Sequence, residues 1–315
     1  MALLVLASMA LMGRWMYEHR IGTFKESVII IPKGSSFQDI VDLLSHHNAL
    51  AYPFFFYISE GLLSHHRFYP SGEFSIPAGL TYQQLSVFLR RAKPVQHPIR
   101  VVEGSTVAAV LQHLNDHPLL VGQIDSMPAE GTLFAETYYI SRGENRQQLL
   151  NRMQTMMTKQ LSALWDKRNP DVPLKTPEDA LILASIVEKE SGGKDDQTYV
   201  ASVFLNRLKA GMPLQADPTI LYALSGGSGR LNRPLNRQDW TLQSPYNTYL
   251  QTGLPPSPIA IPSEEALRAV LNPITTPYYY FVADGKGGHI FSTSLNDHNR
   301  HVRAFYRTKK EVSLP

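Results

Sequence analysis

The chain of 315 residues contains no cysteine, which excludes disulfides, thiolate nucleophiles and cysteine-held metals. Its charges nearly cancel, at a formal net +3, and they are interspersed. There is no cationic tract and no interleaving of basic with aromatic residues, so nucleic acid is not an expected partner. No H-E-x-x-H helix exists, and the Gly-rich turn Asp284-Gly285-Lys286-Gly287-Gly288-His289 lacks the G-x-x-x-x-G-K-[ST] spacing of a phosphate loop. His289, His298 and His301 do not read as a zinc set, so no metal and no cofactor is expected. A full-length membrane span is missing too. The apolar run Ala2 to Gly13 is followed by Arg14, Trp15 and Tyr17, which suit a bilayer interface. It falls short of the roughly 20 residues that crossing requires. A positive n-region and a cleavage site of small residues are also lacking, which argues against a signal peptide. Residues 1–17 are therefore expected to be the second half of a single-pass anchor whose beginning lies outside this chain.

What is present suggests an α+β protein of two domains. Three segments share one plan, a short strand running through Gly into a hydroxyl residue and an amphipathic helix. They are Ile29 to Leu44, Phe74 to Leu89 and Ile99 to Leu114. The Gly supplies a tight turn and the Ser or Thr caps the helix. The three are expected to build an N-terminal domain over residues 27–120, ahead of a second α+β domain over residues 121–310. Within the latter, a helix is expected from Arg146 to Trp165, and a β-hairpin around the 284–288 turn.

The most informative stretch is Thr176 to Gly193. Thr176 is a good N-cap, Pro177 suits the first helical position, Asp179 completes a capping box, and Gly192-Gly193 marks the end. At about 100° per residue, Ile182, Leu183, Ile186 and Val187 form an apolar stripe with Glu190 near its centre, while Glu188 points elsewhere. A carboxyl on a core-facing stripe has its charged form disfavoured and its pKa raised, as a general acid near neutral pH requires.

Several motifs in order resemble the membrane-anchored endolytic murein transglycosylases of bacteria. They are A-S-I-V-E-K-E-S (Ala184 to Ser191), V-A-S-V-F-L-N-R-L (Val200 to Leu208), L-Q-A-D-P-T (Leu214 to Thr219) and S-P-Y-N-T-Y (Ser244 to Tyr249). T-G-L-P-P (Thr252 to Pro256), Y-F-V-A-D-G-K-G-G-H-I-F (Tyr280 to Phe291) and H-N (His298, Asn299) complete the series. The resemblance implies a catalytic role for Glu190, the residue the helical wheel selects. It also implies an inner-membrane anchor, a periplasmic body, peptidoglycan strands as substrate and association with peptidoglycan synthases. The first repeat resembles a LysM-like module, associated with glycan binding. One departure stands out: the family usually carries Pro-Asp where this chain has Ala135-Glu136.

Lytic transglycosylases need one carboxyl group, because the C6 hydroxyl of N-acetylmuramic acid attacks within the substrate and closes a 1,6-anhydro ring. Gln215, Asp217, Tyr246, Asn247, Tyr249 and His289 are the expected substrate-binding residues, the first five as cleft residues and His289 as a cleft residue or a hairpin hydrogen-bonder. Two other readings stay open, a muramidase in which Asp217 activates water and a non-catalytic glycan-binding scaffold.

Overall fold

The computed structural model describes residues 26–54, 56, 57, 60 and 69–312, with scattered positions between 4 and 15. The expected anchor at 1–17 lies partly outside the described residues, among which no helix is long and apolar enough to cross a membrane. The architecture is α+β and divides into two compact units, residues 1–98 with 139–144, and residues 99–138 with 145–315.

In the first unit, β1 (Ser27–Ile31) and β2 (Gly72–Ile76) pair antiparallel, Ser27 opposite Ile76 and Ile31 opposite Gly72. Each leads into a helix, α1 (Phe37–His46) and α2 (Tyr82–Arg91). Ser36 with Asp39, and Thr81 with Gln84, form reciprocal capping boxes that satisfy the orphan amides at the two helix starts. Strand alternation turns Ile29 and Ile31 inward onto Ile40, Leu44, Phe74 and Leu85 and leaves Val28 and Ile30 in solvent. The returning segment 139–144 joins this unit through Arg142, whose Nε donates to Glu73 Oε2 at 2.8 Å. His97 Nε2 lies 3.1 Å from the same oxygen.

The third repeat takes its expected local form, β3 (His97–Arg100) leading to α3 (Val107–Asp116) with Thr106 as N-cap. It does not complete the first unit, and the partition falls at Pro98–Ile99 rather than near residue 120. The reason lies in where its backbone bonds go. Gly104 N–H donates to Ile261 O and Ile261 N–H to Ser105 O, both at 2.8 Å, and Val101 N–H donates to Glu136 O at 3.0 Å.

The second unit gathers α4 (Arg146–Trp165), α5 (Pro177–Glu190), α6 (Lys194–Lys209), α7 (Asp217–Leu224) and α8 (Glu264–Leu271). The hairpin β4 (Tyr280–Ala283) with β5 (His289–Ser292) and the helix α9 (Leu295–Val312) follow. Helix α5 is capped by Thr176 and Asp179 as expected. It is not amphipathic, however. Every residue from Ala180 to Val187 is buried, because α4, α6, α7 and α8 all pack against it. Polar Ser185 is tolerated there since its hydroxyl donates to Ile182 O at 2.7 Å and accepts Ile259 N–H at 3.0 Å. Glu188 is partly exposed, and its Oε2 accepts from the backbone N–H and hydroxyl of Ser263, the N-cap of α8, at 3.0 and 2.5 Å.

Candidate active site

Glu190 is the last residue of α5. The chain turns at once, and Gly192 passes so close to the hairpin turn that a Cβ there would stand 2.3 Å from Gly287 O. Only glycine fits at that approach. Helix α6 then runs back along the core and places Arg207, 7 % exposed, near its end. The guanidinium is held by backbone carbonyls: Nε donates to Tyr279 O at 2.7 Å and one terminal nitrogen to Leu214 O at 2.7 Å and Pro213 O at 3.3 Å. The same nitrogen reaches Gln215 Oε1 at 3.4 Å. Its Cζ lies 5.3 Å from the centroid of the Tyr280 ring.

Asp217 opens α7, and its backbone N–H lies close enough to the Glu190 carboxylate to draw its pKa down. The helix N-terminus thus faces the acidic pair with its positive end. The Asp217 carboxylate is itself anchored, its Oδ1 accepting from Tyr249 OH at 2.7 Å and Trp240 Nε1 at 3.0 Å. The approach to Asp217 requires Gln215 to adopt φ 52°, a left-handed conformation uncommon for a residue with a side chain. Thr248 holds it there: its carbonyl accepts Gln215 N–H, and its buried hydroxyl accepts Ala216 N–H and bonds Thr219 Oγ1, each at 3.0 Å. Thr248→Val should therefore leave the Ala216 amide unsatisfied and lower unfolding stability by about 1–3 kcal/mol in a urea titration. An unchanged midpoint would show that the turn does not depend on this hydroxyl.

These surroundings set the protonation of Glu190. Burial, and then the negative charge of Asp217, push its carboxyl up to about 8, against the opposing pull of the Asp217 amide and Arg207. Burial also raises the Tyr249 hydroxyl, and its bond to the Asp217 carboxylate raises it further, so it remains a neutral donor. A protonated carboxyl beside an anchored, exposed aspartate can give and take back a proton near neutral pH, which is general acid–base chemistry.

Of the residues expected at the site, Asp217 and Tyr249 converge on Glu190, and Gln215 adjoins it through Arg207. The other three turn to other partners. Asn247 is fully buried, with its amide nitrogen donating to Trp240 O and Leu242 O and its oxygen accepting Tyr249 N–H, so it shapes the loop from within. Tyr246 packs on Tyr222 and bonds Ser257 Oγ at 2.6 Å. His289 Nδ1 lies 3.1 Å from Asp196 Oδ2 and its ring stands edge-on to Phe281. Glu136, at the departure from the family pattern, accepts its neighbour Thr137 N–H at 2.9 Å and lines a cavity of about 370 Å³ with Arg100, Glu264 and Arg268. Sequence reading missed Arg207, Trp240, Thr248 and Tyr280. Arg207 alone left a signal, a cation inside the apolar helix Val200 to Leu208.

The model of the YceG-like family matches residues 29–304. The endolytic murein transglycosylase of Bacillus subtilis (strain 168) is 36 % identical over 186 residues, 58 % of this chain and 50 % of that protein. The endolytic murein transglycosylase of Streptococcus pneumoniae serotype 2 (strain D39) is 34 % identical over 187 residues, 57 % of this chain and 33 % of that protein. The alignments therefore span half or less of the length of these curated relatives. The crystal structure of a yceG-like protein from Listeria monocytogenes superposes with a TM-score of 0.53 at 27 % identity, covering 88 % of this chain and 99 % of that one.

Proposed function

The chain belongs to the YceG-like family, and from that premise we propose that it is an endolytic lytic transglycosylase, cleaving the bond between N-acetylmuramic acid and N-acetylglucosamine within peptidoglycan strands. The observation that carries this reading is Glu190, a carboxyl that ends a buried helix with Asp217 beside it and that burial pushes up to about 8. Its names among relatives, endolytic murein transglycosylases, support the same substrate.

Glu190 gives its proton to the glycosidic oxygen as the bond to the anomeric carbon breaks. The resulting carboxylate then takes the proton of the C6 hydroxyl as that oxygen closes the 1,6-anhydro ring. The anchored charge of Asp217 stabilises the positive character that develops at the anomeric carbon, and Tyr249 and Trp240 keep that carboxylate in place. Asp217 is exposed, so a hydrolytic route would use it to activate water; the two routes leave different ends.

Mass spectrometry of strands digested by the purified protein should find 1,6-anhydro-N-acetylmuramic acid ends, and reducing muramic acid ends would establish the hydrolase instead. In the same assay kcat/KM should fall above about pH 8, because the acid is lost as pH rises through the folded-state value. A profile flat from pH 6 to 10 would remove Glu190 as the acid.

The first unit, with its two capped strand-turn-helix repeats, is proposed as a LysM-like glycan-binding module. The apolar run Ala2 to Gly13 with Trp15 and Tyr17 supports an inner-membrane anchor that leaves both units in the periplasm, within reach of peptidoglycan synthases. Recovery of the full-length protein in the soluble periplasmic fraction would remove the anchor.

A further inference from the structure

The H-N motif at the start of α9 has no part in the chemistry above, yet His298 stands at the edge of the same site. Its ring stacks on Tyr280 with centroids 5.4 Å apart and planes 26° from parallel. Tyr280 is the ring beside which the Arg207 guanidinium lies, and the charge of Arg207 acts on both Glu190 and His298. Arg207 and Tyr280 therefore link His298 to the Glu190 site.

The other two histidines of this region have partners. His301 Nδ1 bonds Ser292 Oγ at 3.0 Å, and His289 pairs with Asp196. His298 Nδ1 is enclosed with no hydrogen-bond partner among the described residues. Its Nε2 is not enclosed, and no described residue bonds it. A buried N–H without an acceptor is costlier than a buried lone pair, so the single ring proton belongs on Nε2. A second proton on Nδ1 would bury a charged donor with nothing to accept it. Burial, then the charges of Arg207 and His301, accordingly hold the ring below the usual histidine range. The outcome is a neutral N–H donor, fixed by stacking, with no acceptor among the described residues.

We propose that His298 Nε2–H donates a hydrogen bond to an oxygen of the bound glycan strand and so positions the sugar beside Tyr280, near Glu190. This inference rests on the functional reading above and assigns His298 a substrate-positioning role, not a proton-transfer one.

Two substitutions separate donation from stacking. His298→Gln keeps an N–H near the Nε2 position and loses the aromatic face, whereas His298→Phe keeps the stack on Tyr280 and loses the donor. In a Glu190→Gln background, where the strand is not consumed, calorimetry with a purified peptidoglycan oligosaccharide should find binding about tenfold weaker for the Phe variant. The Gln variant should stay within about threefold. Equal losses in both, or a larger loss in the Gln variant, would assign His298 to packing alone and overturn the proposal. An NMR measurement without any change at His298 guards against misfolded variants: the ¹⁵N-labelled imidazole should titrate as the Nε2–H tautomer and shift when the oligosaccharide is added. An unmoved signal in a protein that binds the strand overturns this proposal and leaves the functional reading intact. A protein that neither binds nor cleaves the strand overturns both.

Discussion

Glu190→Gln should abolish strand cleavage while leaving fold and glycan binding in place. The amide has nearly the same shape and polarity, but it has no acidic proton to give. Loss of a general acid alone costs about 10²- to 10⁴-fold, and more is expected where one group serves as acid and then base. The change should also reveal what the raised carboxyl costs the fold. A carboxyl whose folded value is about 8 stays protonated while the unfolded chain ionises near the ordinary glutamate value of 4.5. In that window the native state binds more protons than the unfolded state, so unfolding free energy falls as pH rises from about 4.5 to about 8. The variant should lack this component of the decline, which denaturant titrations at pH 4, 6 and 8 would detect. Glu188→Gln is the contrasting control. That carboxylate fastens Ser263 at the start of α8, so its loss should register in stability and leave the chemistry largely unchanged. Near-normal turnover by Glu190→Gln would refute the single-glutamate mechanism.

Arg207→Met should be the most destabilising single change in the second unit. The guanidinium supplies two 2.7 Å bonds to backbone carbonyls, on Tyr279 and Leu214, each charge-assisted and worth about 1.5–3 kcal/mol. Methionine fills comparable space and leaves no orphan charge, so a loss of about 3 kcal/mol or more in urea would reflect those bonds. The substitution carries an electrostatic signature as well. Arg207 draws the Glu190 carboxyl downward, so without it the alkaline limb of the rate profile should move to higher pH. A stable variant with an unmoved limb would show that Arg207 neither braces nor tunes the site.

Local chemistry was legible without the structure. The cap Thr176 with Asp179, the capped strand-turn-helix repeats and the hairpin around 284–288 all depend on neighbours a few residues apart, and each formed as its residue types dictate. Where reading by periodicity failed, it failed because packing came from elsewhere in the chain. Helix α5 was expected to show one apolar face, but four helices surround it, and a helix buried all round carries no stripe to read. Glu190 was thus singled out for an incomplete reason: its raised pKa follows from its place at the end of a buried helix opposite the N-terminus of α7.

The sites of Asn247, Tyr246 and His289 teach the same distinction. Residue type alone marks an amide, a tyrosine and a histidine as suited to sugars, but only the tertiary structure decides whether their polar atoms are free. Asn247 is consumed by three backbone bonds within its own loop, Tyr246 by Ser257 and His289 by Asp196. Conversely, Arg207, Trp240 and Tyr280 stand far apart in the chain, and packing alone sets Trp240 on the Asp217 carboxylate and the Arg207 guanidinium beside Tyr280. By itself, the sequence determined the caps and the turns, since these follow from residue types in contact along the chain. Which side chains face the carboxyl pair, which are spent on backbone, and how far the Glu190 proton is held toward neutral pH were decided by long-range packing, because desolvation and hydrogen-bond satisfaction are properties of the assembled environment.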